Sequence, residues 1–234
     1  MSYLISLKLK ADTHHRFRQI HQQLNEGKTE SLAKPLGEVL ADISCEIVDQ
    51  VFGEISRLST SGDRESDKVV QQILDTVRKY MPWSVSFFGN DRLIPMVNYL
   101  IEMAHEKNDQ HYISYRVDHV LVVELLGCVE QVKSGNSQYV SPALKAFTEM
   151  VDQGVTYLVR EPKKMLKFNL VVDKTLNGVI SLTTQMGYKR LEKLGAYYDA
   201  QETHRYLDHF LMFLNQEPKN DRSTILKPNS KQER

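Results

Sequence analysis

One carboxylate interrupts an otherwise continuous apolar run. In His119-Val-Leu-Val-Val-Glu124-Leu-Leu-Gly-Cys-Val129 every neighbour of Glu124 is hydrophobic or small. A carboxylate buried without a partner costs several kcal/mol and has its pKa raised, so it either pairs with a cation or serves as an acid, base or ligand anchor. Arg160 and Lys174 are the cations considered as partners, and Trp83, Phe87 and Phe88, crowded between Pro82 and Gly89-Asn90-Asp91, supply aromatic walls for a pocket. Glu102 and His105 stand three residues apart, the step that puts two metal ligands on one helical face. A dinuclear carboxylate site needs a second such pair and two further glutamates, and the chain offers no second pair, so no metal is expected. There is no GxSxG elbow, GxxxxGK[ST] loop or GxGxxG turn. The chain thus offers no catalytic residue to name and implies no cofactor.

The N-terminus carries a different chemistry. Tyr3, Ile5, Leu7 and Leu9 alternate with Leu4, Ser6, Lys8 and Lys10, the period of a half-exposed strand. Phe17, Ile20 and Leu24 then recur at helical spacing behind Asp12 or Thr13 as a cap. A strand with polar alternate side chains, a helix, a Gly-containing turn and a second helix resembles the ribbon-helix-helix arrangement of small DNA-binding repressors. The resemblance covers only this N-terminal segment. It implies two strands of a dimer entering the major groove, with Ser6, Lys8 and Lys10 toward the bases and Arg16 and Arg18 near phosphates. Read without the resemblance, the segment is an edge strand or extended arm whose lysines resist edge-to-edge pairing.

The rest of the chain must position these groups, and its spacing is helical. Leu36, Val39, Leu40, Ile43, Ile47, Val51 and Leu58 form one stripe over 34–58, and Pro35 suits its first turn. A second helix ends near Tyr80, ahead of the aromatic elbow. Further helices are read over 93–105, 111–133, 143–159, 165–194 and about 200–214. Projecting 111–133 at roughly 100° per residue puts Ile113, Val117, Val120, Leu121 and Cys128 on one arc, with Glu124 near its middle. That projection predicts a buried Glu124. Together these segments predict an all-α antiparallel bundle of about seven to eight helices with a short N-terminal strand or arm. Residues 1–30 would form the arm and first helix, 31–214 the bundle, and 215–234 a polar disordered tail.

Composition limits the function. The 234 residues are 41% hydrophobic and 26% charged, enough for a substantial core. Thirty basic residues balance thirty acidic ones, which argues against a globally nucleic-acid-binding or anionic-membrane-binding protein. The two cysteines, Cys45 and Cys128, lie in apolar contexts without metal-ligand spacing, as in a reducing cytoplasm. No secretion signal and no membrane-spanning stretch is read. The expected function is a non-catalytic, regulatory helical bundle that acts by protein–protein contact or self-association. The alternatives are a ribbon-helix-helix-like DNA-binding regulator with a ligand-sensing domain, and an enzyme or small-molecule receptor with a pocket around Glu124.

Overall fold

The computed structural model describes residues 2–53, 64–197 and 199–216, and their side chains except at 64–67 and 194–197. The chain is mostly helical, but it is organised around a four-stranded antiparallel sheet of order β2-β3-β1-β4. The strands are β1 (Tyr3–Leu9), β2 (Ala104–Lys107), β3 (Gln110–Val117) and β4 (Leu214–Gln216). The helical class expected from the sequence fits, and to it the structure adds this small sheet, in which segments from the start, middle and end of the described residues meet.

β1 follows the predicted alternation. Tyr3, Ile5, Leu7 and Leu9 are buried, while Lys8 is exposed. It is an inner strand. One edge pairs with β3 along its whole length, from Tyr3 opposite Val117 to Leu9 opposite His111. The other edge pairs with β4 over Tyr3–Ile5, and side chains then take over from backbone. The Ser6 N–H donates to the Phe213 carbonyl at 2.8 Å. The Gln50 side-chain amide accepts from the Lys8 N–H at 2.9 Å and donates to the Lys8 carbonyl at 2.7 Å, mimicking a peptide unit. Glu46 accepts from the Lys10 N–H at 2.9 Å and from the Thr13 hydroxyl at 2.7 Å. A strand edge leaves N–H and C=O groups unpaired, and Glu46 and Gln50 supply partners for them where β4 ends.

Two predicted helices prove to contain strands. The helix read over 93–105 is α4 (Asn90–Ile101) followed by β2, and the helix read over 111–133 is β3 followed by α5 (His119–Lys133). Asn108 and Asp109 both adopt left-handed φ, 53° and 56°, the geometry of a two-residue type I′ turn, and join β2 to β3. Asp118 then starts α5: its carboxylate accepts from the N–H of Val120 at 2.7 Å and of Leu121 at 3.4 Å.

The other helices are α1 (Ala11–Asn25), α2 (Ala33–Val48), α3 (Arg64–Val85), α6 (Val140–Val155), α7 (Glu161–Leu166), α8 (Leu170–Tyr197) and α9 (Ala200–Leu211). α2 and α6 each run on into a five-residue π-helical turn, at Asp49–Gly53 and Thr156–Arg160. The predicted extension of the first bundle helix to Leu58 lies beyond Gly53, outside the described residues. α3 does not end at Tyr80; it passes through Pro82 to Val85, absorbing much of the expected aromatic elbow. Lys167, at φ 48°, turns the chain between α7 and α8, and Asn169 accepts from the Val172 N–H at 3.0 Å to cap α8.

One buried cluster runs from β1 through α1, α2, α4, α5 and α6 to Tyr206, Leu207 and Phe210 of α9. The cluster includes residues on both sides of residue 30. α2 and α3 cross with little clearance: a Cβ on Gly37 would lie 2.5 Å from the Pro82 Cα. Of the predicted tail, Asn215 and Gln216 belong to β4, and 217–234 lie outside the described residues.

Candidate functional site

Glu124 is not buried. It lies on the exposed side of α5, whose buried residues are Leu121, Val122, Leu125, Cys128, Val129 and Val132. The projection failed because Ile113 and Val117, which helped to define its arc, are strand residues. Removing them rotates the buried stripe away from Glu124 and leaves Val120 and Val123 exposed beside it, at 73% and 53%. Arg160 instead donates to Asp152 at 2.8 Å, and Lys174 is exposed on α8.

The N-terminal cations are also accounted for. Arg16 pairs with Asp12 at 2.8 Å and Asp42 at 2.6 Å, which raises its pKa. The Arg18 Nε donates to the buried His14 Nε2 at 3.1 Å. Ser6 accepts from the Ser114 hydroxyl at 2.8 Å across the sheet, and Lys8 is exposed on the face away from the core. The ribbon that the repressor resemblance implies needs a free β1 edge, and β3, β4, Gln50 and Glu46 occupy both. Glu102 closes α4 whereas His105 lies in β2, so the two do not share a helical face. Among the described residues, no three His, Cys, Asp or Glu side chains gather in a metal-binding group.

What the fold does form is a partly open apolar cavity of about 240 Å³ among α2, α3, α6, α7 and α8. Leu40, Ile43 and Ile47 of α2 face Ile73, Val77 and Met81 of α3. Val151 and Val155 of α6 and Leu176, Val179 and Ile180 of α8 complete the sides, while Leu7 and Ile113 bring the core face of the sheet to the wall. Both π-helical turns border it, through Val51 and Phe52 and through Leu158 and Val159. Such turns interrupt regular helix packing and are frequent at functional sites. Gly154 makes room for the buried Tyr115 ring, which would lie 2.7 Å from a Cβ at that position.

The hydroxyls in this wall do not make it polar. Ser44 donates to the Leu40 carbonyl, Thr76 to Gln72, Ser84 to Met81, Thr183 to Val179 and Thr184 to Ile180, all at 2.7–2.9 Å. Each is satisfied within its own helix. Tyr115 directs its hydroxyl to the Met150 carbonyl, and burial pushes its pKa far up, so it remains a neutral phenol. Lys163 of α7 is the one Lys, Arg, Asp or Glu in the wall; its side chain is only 13% exposed and pairs with Asp173 beside the Phe168 ring. The Lys163 hydrogen bond holds the Asp173 carboxyl below the usual carboxylate range.

Beside the cavity, Asp152 accepts from Arg160 and from the Tyr188 hydroxyl, joining α6, its π-helical turn and α8. Arg160 foremost depresses the Asp152 pKa, while burial and the neighbouring carboxylate raise that of Tyr188. This is a structural clamp, with each polar group committed to another.

The predicted aromatic residues adjoin the cavity without lining it. Trp83 packs edge-on against Tyr80 and Phe87, Phe87 is half exposed, and Phe88 packs edge-on against Phe168 at 4.9 Å. Stripes such as Leu40, Ile43, Ile47 and Val51 are legible in the sequence as core-facing, but the space they share with the other helices is not, because each helix donates one narrow stripe. The available signal was the hydroxyls of Ser44, Thr76, Ser84, Thr183 and Thr184 among apolar helical neighbours.

Comparison with protein-family models, with curated proteins and with solved structures finds no match for this chain. Among the described residues, no helix is long and apolar enough to cross a membrane.

Proposed function

We propose that this protein is a non-catalytic receptor for an apolar small molecule, bound among α2, α3, α6 and α8. The observation that carries the reading is a cavity whose wall is mostly hydrocarbon and whose Ser and Thr hydroxyls are turned back into their own helices. Ligand sites combine such apolar walls with few polar groups, and a wall with no uncommitted nucleophile or base favours holding over chemistry. Titration with dodecanol, followed by displacement of a polarity-sensitive fluorophore, tests the reading. Saturable one-to-one binding is expected, lost in Val155→Trp, which fills the cavity, and kept in Val120→Trp on the exposed side of α5. Equal binding by the two variants would refute the site.

Association with a protein partner or a second copy remains a second reading. It is favoured by the exposed Val120 and Val123 of α5 and Leu170 and Val171 at the start of α8, because adjacent exposed apolar side chains mark contact surfaces more often than isolated ones do. Light scattering after size exclusion would show a dimer or larger species, and Val120→Asp with Val123→Asp would dissociate it.

A further inference from the structure

We infer that the ligand is a single-chain amphiphile with an anionic head, seated with its head on Lys163 and its tail along the α2, α3 and α8 walls. The inference rests on the cavity being a binding site. A purely apolar cavity needs no ion in its wall, and a charge is costly to bury. Lys163 nevertheless reaches the cavity with a side chain almost wholly removed from solvent.

An ammonium group has three N–H donors. Asp173 accepts one of them, and the Phe168 ring centroid lies 6.0 Å from Nζ, too distant and too diffuse to satisfy the others. Asp173 thus leaves the ammonium with donor capacity for an anionic oxygen in a cavity that Lys163 helps to line. Asp173 does not cancel the group's use: it fixes the ammonium in place, and it is itself held by Asn177 at 2.9 Å. The wall contains no Asp or Glu of its own to act as a competing charged acceptor. A cationic head would meet Lys163 with like charge. A neutral head would leave the ammonium with a weaker acceptor, because hydrogen bonds joining two charged groups are shorter and stronger than neutral ones.

The test compares heads on one tail, using dodecanoate, dodecyl phosphate, dodecanol and dodecylamine below their micelle concentrations in displacement titrations of the full chain. Dodecanoate or dodecyl phosphate should bind about tenfold or more tighter than dodecanol, with dodecylamine the weakest. Whichever anion binds tighter identifies the head as carboxylate or phosphate. Lys163→Met should erase the preference for the anion while keeping dodecanol binding, and Asp173→Asn should strengthen anion binding by removing a like charge. Equal binding of anion and alcohol by the parent protein would overturn the head-group assignment and leave the apolar site standing. Failure of all four to bind would overturn both.

Discussion

Gly37 and Gly127 are both helical glycines, and the same substitution should act on them with opposite sign. A Cβ at Gly37 would stand 2.5 Å from the Pro82 Cα and 2.8 Å from a Val85 methyl, whereas at Gly127 it meets nothing within 4 Å. Favourable carbon contacts lie at about 3.5–4.0 Å, so Gly37→Ala must push α2 and α3 apart by about 1 Å. Pro82 Cα is backbone within a helix and cannot step aside as a side-chain end could. Overpacking of this kind costs about 1–3 kcal/mol, and the gain in helix propensity returns about 1 kcal/mol. The net loss is up to about 2 kcal/mol, equivalent to a fall in Tm of up to about 8 °C for a chain of this size. Gly127→Ala carries the propensity gain alone and should stabilise by about 0.5–1 kcal/mol. Urea unfolding of the two variants beside the parent reads both values. A Gly37→Ala protein as stable as Gly127→Ala would refute the close crossing of α2 and α3, and with it one wall of the cavity.

Gln50→Ala should cost about 1–3 kcal/mol in urea unfolding, since two hydrogen bonds to Lys8 are lost at roughly 0.5–1.5 kcal/mol each; Gln50→Glu should also destabilise, because a carboxylate cannot donate to the Lys8 carbonyl. Burial foremost, then His111, depresses the His14 pKa from 6.5. The unfolded chain therefore takes up the proton first: the contribution of His14 is complete above about pH 6.5 and declines below it, and His14→Gln should flatten that part of a stability–pH curve. Asp152 has the opposite titration but the same direction. Its pKa is depressed from 3.8, chiefly by Arg160, so its contribution is complete above about pH 3.8 and is lost as the pH falls further; Asp152→Asn should remove this low-pH slope. Burial raises the thiol pKa of both Cys45 and Cys128, so each should react with a thiol reagent at neutral pH more slowly than in urea.

Helical stripes were readable in the sequence wherever a helix meets the core on one side, as Leu36, Val39, Leu40 and Ile43 do. So was the alternation of β1. The remaining strands were hidden because β2 and β4 are short, β3 runs directly into a helix, and the apolar residues Ile113, Val117 and Leu121 happen to recur every four residues. The Asn108-Asp109 turn and the alternation of Ile113, Tyr115 and Val117 were the competing signals for β3. A strand ending at Val117 places Glu124 on the exposed side of α5. The partners of β1 were beyond reach for another reason: Gln50 and Glu46 act through side-chain geometry over 36 to 42 residues of separation. The cavity is harder still to read, since it is a space left among helices and no residue encodes it alone. Lys163 looks, in sequence, like one of three solvated lysines at 163, 164 and 167.

The apolar site is tested most directly by carbon-13 methyl NMR of isoleucine-labelled protein during titration with dodecanol. The cavity account predicts saturable shifts for Ile43, Ile47, Ile73, Ile113 and Ile180, whose side chains line the space, and none for Ile20 and Ile94, which lie elsewhere. Shifts confined to Ile20 and Ile94, or no shift at all up to saturating dodecanol, would contradict it.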